Sequence, residues 1–194
     1  MHDTERLTWK TLARKTVFQG PIFNVGTVQR ESTDGRIGDF IEIDAPLWAT
    51  VIPWYRDAGG TPCFLMVCQY RHGSGSVTIE FPAGTVDSGE TPEHAARREL
   101  LEETGCQSDR EIVLLGSVNP NPAFMNNRVS FYFAEGLIRT GSQQLDPNEQ
   151  LDILCVPVKE VLENMGTGVY DSGIMMIAQA FFLRYAQQRP GLLS

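Results

Sequence analysis

Little in this chain sets it apart from an ordinary globular protein. No apolar run approaches the ~18 residues that a membrane-spanning helix needs. The N-terminal stretch MHDTERLTWK forms no apolar leader. There is no internal repeat and no low-complexity tract. The cysteines, Cys63, Cys68, Cys106 and Cys155, include no C-x-x-C pair and have no histidine partners at zinc-finger spacing. That pattern predicts reduced, mostly buried thiols and a cytoplasmic protein. Basic charge is scarce too: 16 Lys and Arg stand against 24 Asp and Glu, a net charge of −8, with a pI of about 4.9. Non-specific nucleic-acid binding needs a basic surface and is disfavoured. Small anionic substrates stay open, provided a metal and a few arginines are focused at one site. With 42% hydrophobic and 21% charged residues in 194, the chain can bury a core and is not disordered. Its length suits one substantial domain plus a small appendage.

The chain is organised around Gly84 to Cys106, GTVDSGETPEHAARRELLEETGC. Thr91 predicts an N-cap, Pro92 the first helical position, and Glu93 a favourable charge for the helix dipole. Gly105 suits the helix stop. On this helix Glu99 and Glu103 lie one turn apart on one face, with Glu102 on its flank. Like charges at that spacing repel. Either Arg97 and Arg98 pair with them on a solvated face, or a cation sits between them. Carboxylates without His or Cys suit a hard ion, Mg²⁺ or alternatively Mn²⁺.

The full pattern is Gly84, five residues, Glu90, seven residues, then Arg98-Glu99-Leu100-x-Glu102-Glu103-x-Gly105-Cys106. It resembles the Nudix box at every defined position. Cys106 stands where an aliphatic residue is usual, and a free Cys is itself apolar. The resemblance implies a Nudix α/β/α sandwich, of α/β (α+β) class, with a mixed central sheet and a small antiparallel β-sheet before it. It also implies water attack on a diphosphate linked to a nucleoside.

Residues 1–45 read as that small sheet. Gly20-Pro21 is a turn signal, Ile22–Val25 and Thr27–Arg30 are extended, and Asp34-Gly35 leads into Phe40–Ile43 as a hairpin. An early Trp, a Gly-x-x-Phe-x-Val stretch and a Gly-containing hairpin resemble the N-terminal sheet of ADP-ribose pyrophosphatases. In that subgroup the sheet mediates homodimerisation and helps form the nucleoside pocket. Pro122, sixteen residues past Cys106, resembles the subgroup's marker proline. Asp44-Ala45-Pro46 is the linker, and 46–194 the hydrolase domain. Strands are expected from Ala49, over Cys63–Tyr70 as a buried central strand, and over Val77–Phe81, Glu111–Val118, Val129–Glu135 and Leu151–Val158. Pro157, near the end of the last of these, is tolerable at an edge. Ile174–Gln188 reads as a terminal helix whose stripe Ile177, Phe181 and Tyr185 faces the core.

The resemblance implies roles for particular residues. Glu99 and Glu103, with the carbonyl of Ala83, are the metal ligands, and Glu102 binds a further ion or a metal-bound water. Arg98 fixes a box carboxylate, and Glu90 clamps the loop to the helix. Gly84 permits the backbone to approach the metal or to take an unusual φ. Glu149, in the loop before Leu151, is the general base, with Glu102 and Asp146 as rivals. Arg71 contacts a substrate phosphate. Phe23 either stacks on the nucleobase or sits in the core of the small sheet. The implied reaction releases a nucleoside monophosphate and a sugar phosphate from ADP-ribose or a related nucleotide sugar. Hydrolysis of dinucleoside polyphosphates or oxidised nucleoside triphosphates is the enzymatic alternative. A non-catalytic nucleotide-sugar-binding regulator is the alternative of another class.

Overall fold

The computed structural model describes residues 4–194 and divides into two compact units. The first comprises residues 4–46 together with 119–128. Its sheet is antiparallel, β1 (Trp9–Gln19), β2 (Asn24–Ser32) and β3 (Ile37–Asp44), in that order. Gly35, at φ 85°, supplies the left-handed residue of the β2–β3 turn. The Asn-Pro-Asn-Pro segment does not merely break the chain. Asn119 donates to the carbonyl of Met125 at 2.7 Å, and Ile43 exchanges backbone hydrogen bonds with Phe124 and Asn126, so the loop extends this unit. Every residue of β1 is exposed, and Phe23 is 40% exposed rather than a core residue.

The second unit, residues 47–118 and 129–194, is built on a mixed sheet. Its path runs β12 (Leu151–Pro157), β5 (Pro62–Arg71), β4 (Trp48–Arg56), β10 (Val129–Ala134) and β9 (Val113–Val118). Only β4 and β10 are parallel. β12 is an edge, where Pro157 is tolerated. Alternation along the strands separates two faces. Ala49, Val51, Tyr132 and Ala134 pack with Ala95, Ala96 and Leu100 of α1 (Pro92–Thr104). Ile52, Phe64, Phe131 and Phe133 pack on the other side with Met175, Ala178 and Phe182 of α3 (Gly173–Ala186). The result is an α/β/α sandwich with the acidic helix on one face.

One departure from regular pairing shapes the site. β4 and β5 pair only where they leave their hairpin, at Trp54–Arg56. Beyond it they part, and β6 (Ser76–Glu80) pairs with the free end of β5 while β7 (Ala83–Thr85) pairs with the start of β4. The sequence predicts only a turn at Ala83-Gly84. It also gives no sign of β8 (Cys106–Ser108) with its partner β11 (Leu137–Arg139), nor of the short α2 (Val158–Glu163). These elements are too short for periodicity to register.

Two expectations about burial are corrected. Of the cysteines only Cys63 is buried; Cys155 is exposed and the other two are intermediate, though all are free thiols. On α3 the fully buried stripe is Met175, Ala178, Phe182 and Ala186, while Ile177, Phe181 and Tyr185 flank it, partly covered. The two stripes differ by less than a turn, and Phe and Tyr draw the eye more than Ala does. No helix of the described residues is long and apolar enough to cross a membrane.

Candidate active site

α1 begins and ends as its sequence dictates. The Thr91 hydroxyl accepts from the His94 N–H at 3.2 Å, Pro92 opens the helix, and Gly105, at φ 68°, closes it in the left-handed region. Glu99 and Glu103 are buried on the face toward the sheet. The Ala83 N–H donates to Glu103 Oε2 at 3.2 Å. Gly84 lies directly before Glu99: a Cβ there would fall 2.8 Å from Glu99 Oε2 and closer still to Oε1. Its φ is not positive, so this glycine serves close approach and not a special backbone turn.

Arg98 organises the remaining acids. Its Nε and Nη2 hold Glu90 in a bidentate pair, each at 3.1 Å. Its Nη1 reaches Glu99 at 2.6 Å and Glu102 at 3.0 Å. Glu90 also accepts from the Asp87 N–H and contacts His94 Nδ1, which makes it the clamp between loop and helix. The Arg98 guanidinium holds the Glu90 carboxyl down at about 2. Glu99 behaves oppositely. Burial pushes its carboxyl up to about 7, against the pull of Arg98, with Glu102 and Glu149 adding repulsion. Burial raises Glu103 well above the usual range, and the Glu99 and Glu149 charges push the same way.

Glu149 is therefore near both buried acids, although its own side chain is exposed. The loop that carries it is tied to the end of α1. Gln143 Nε2 donates to the Glu103 carbonyl and the Gln144 N–H to the Glu102 carbonyl, both at 2.8 Å. Glu149 accepts from the Asp146 N–H at 3.2 Å, which places the rival Asp146 in the same turn. Gln143 is a positioning residue that the sequence does not announce, since its role depends on where the loop docks.

On the far side of β7, a cavity of about 480 Å³ is lined by Arg71, Thr50, Thr78, Glu80, Ala83 and Gly84, among others. Arg71 pairs with the buried Glu80, which also accepts from the Thr78 hydroxyl at 2.9 Å. Glu80 is missed from sequence alone, because a single acid at the end of a short strand carries no spacing signal. Phe23 belongs to the first unit, where it borders a separate cavity with Pro21 and Pro46.

The donor set fits a hard divalent cation. Two carboxylates that burial and mutual repulsion drive toward protonation gain most from a positive charge between them. Among the described residues no three His, Cys, Asp or Glu side chains make a finished cage, so backbone, water or substrate oxygens must complete one. A hard divalent ion that keeps several waters suits that arrangement.

Comparison with known proteins gives a consistent result. The NUDIX domain family matches residues 46–173. The chain is 31% identical to an ADP-ribose pyrophosphatase of Mycobacterium tuberculosis, with 97% of this chain and 89% of the relative covered. It is 26% identical to an ADP-ribose pyrophosphatase of Bacillus subtilis, with 94% and 95% covered. The crystal structure of an ADP compounds hydrolase superposes with a TM-score of 0.80 at 20% identity, covering 93% of this chain and 95% of that one. That last likeness concerns the fold.

Proposed function

This chain belongs to the Nudix family, and from that membership we propose that it is a Mg²⁺-dependent pyrophosphohydrolase of ADP-ribose or a related nucleoside diphosphate sugar. The products are a nucleoside monophosphate and a sugar phosphate. Full-length similarity to two proteins named ADP-ribose pyrophosphatase supports the substrate class. The observation that carries the reading is the pair Glu99 and Glu103, buried side by side against Ala83 and Gly84 with carboxyls raised by burial.

Glu99, Glu103 and the Ala83 carbonyl would hold the ion, with Glu102 holding a second ion or an ordered water. When bound, the ion neutralises phosphate oxygens and lowers the pKa of a coordinated water. Arg98 keeps Glu90, Glu99 and Glu102 in fixed rotamers, so the acids need no rearrangement when substrate arrives. Glu149 takes the proton of the attacking water, with Glu102 and Asp146 as the remaining candidates. Arg71 contacts a substrate phosphate through the guanidinium edge that Glu80 leaves free. Phe23, exposed in the first unit, stacks on the nucleobase. The protein works in the cytoplasm as a homodimer joined through the β1–β3 sheet, whose outer strand is exposed along its length.

The test is hydrolysis of ADP-ribose with and without Mg²⁺, followed by phosphate release from the products with a coupled phosphatase. AMP and ribose 5-phosphate are expected only with the metal. A parallel panel of ADP-glucose, GDP-mannose, UDP-glucose, diadenosine polyphosphates and nucleoside triphosphates sets the preference. Activity confined to the last two would overturn the nucleotide-sugar reading.

A further inference from the structure

Thr50 is 1% exposed, lines the 480 Å³ cavity, and its hydroxyl has no hydrogen-bond partner among the described residues. It stands on the α3 face of β4, in the row continued by Ile52. A valine would fill that place without stranding a polar atom, so an unpaired buried hydroxyl calls for an explanation. The same cavity receives the start of α3. Ser172 at its N-cap makes no side-chain capping bond, and the first helical bond is from the Met176 N–H to the Ser172 carbonyl, so the first-turn N–H groups face outward unpaired by a cap. Two independent features therefore offer donors to one space.

Acceptors line it as well. Asp171 and the Arg71-bound Glu80 are carboxylates at its wall. Away from Arg71, donors and acceptors together do not suit a bare anion, which Asp171 and Glu80 would repel. They suit a polyhydroxylated ring, every hydroxyl of which both donates and accepts. Trp48 adds a flat apolar wall for a ring face. The cavity adjoins Ala83 and Gly84, hence the acidic cluster where the diphosphate is cleaved.

We propose that this cavity seats the sugar ring of the substrate's non-nucleotide half, with the Thr50 hydroxyl hydrogen-bonded to a sugar hydroxyl as a specificity determinant. The inference rests on the nucleotide-sugar reading above. It assigns Thr50 no part in the chemistry, and it accounts for a polar atom that the free protein leaves unsatisfied.

The experiment compares wild type, Thr50→Val and Thr50→Ser. Valine keeps the shape and removes the hydroxyl; serine keeps the hydroxyl. The ratio of kcat/KM for ADP-ribose to that for the methyl ester of ADP, which lacks the ring, should fall about tenfold or more in Thr50→Val and recover in Thr50→Ser. The melting temperature of the free protein should rise in Thr50→Val, because an unpaired group has gone. An unchanged ratio overturns the inference, whatever the absolute rates. Calorimetric titration of ribose 5-phosphate into the three free proteins separates this from the functional reading. If wild type cleaves no nucleotide sugar, that reading falls. Weaker binding of ribose 5-phosphate to Thr50→Val alone would then still support the pocket, and equal binding by all three would overturn it.

Discussion

The carboxylate of Glu99 occupies the space in front of Gly84 where any other residue would place its Cβ. Glu99 is buried and held by Arg98, so it cannot simply swing into water. Gly84→Ala should therefore displace the carboxylate proposed to bind the metal without touching it chemically. A misplacement of about 1 Å costs on the order of 100-fold in rate, and kcat at saturating Mg²⁺ should fall by that amount. Crowding of this kind also costs about 1–3 kcal/mol of stability, readable by denaturant unfolding. A rate close to wild type would show that Glu99 need not stand where it does.

Arg98 touches three carboxylates and the Thr85 carbonyl. Its removal leaves Glu90, only 8% exposed at the side chain, without its main partner. Arg98→Ala should destabilise the fold by about 2 kcal/mol or more. Arg98→Lys should recover part of the stability but less of the activity, because a point charge cannot span Glu90 bidentately while reaching Glu99. Paired measurements of unfolding and turnover check both halves. Equal activity in Lys and wild type would limit Arg98 to supplying charge.

The buried acids set a pH dependence for the metal-free protein. Glu99 rises from an ordinary 4.5 to about 7, and Glu103 moves the same way. A carboxyl whose folded value exceeds its unfolded one stabilises the fold fully below the unfolded value and loses that contribution as pH rises through the folded one. Glu90 does the reverse, but its window runs from 4.5 down to about 2. In the absence of divalent ions the melting temperature should therefore decline between about pH 5 and 8. Added Mg²⁺ should flatten the decline, and its affinity should increase with pH as the acids deprotonate. A flat metal-free profile would contradict the electrostatic account.

Glu149→Gln tests the proposed base. General-base removal costs about 10²- to 10⁴-fold in turnover, while Mg²⁺ affinity should persist, because Glu99, Glu103 and Ala83 are untouched. A near-normal rate moves the base to Glu102 or Asp146.

The sequence shows the acidic helix almost completely, since caps and i,i+4 spacing are local properties. Thr91, Pro92 and Gly105 stand where their chemistry places them, and Glu90 is the clamp that the resemblance implies. The contacts that complete the site are not local. Nothing near Gln143 in sequence indicates that its amide caps the end of α1, forty residues earlier. Thr50 reads as one more β-branched strand residue until the cavity beside it is seen. Gly84 invites a backbone explanation, whereas the reason lies in a side chain fifteen residues on. The exposed Cys155 and the shifted stripe of α3 mark the same limit: periodicity predicts an amphipathic element, and neighbours decide which of two adjacent rows is covered.

The parting of β4 and β5 has a consequence beyond geometry. The excursion through β6 and β7 walls the compartment beside Arg71, while the acids proposed to hold the ion stand on α1. Mutations in β6 or at the head of α3 would thus redirect which molecules are accepted while leaving Gly84, Glu99 and Glu103 in place. On the proposed assignment, selectivity and reactivity are separately heritable, meeting at the seam of Ala83 and Gly84.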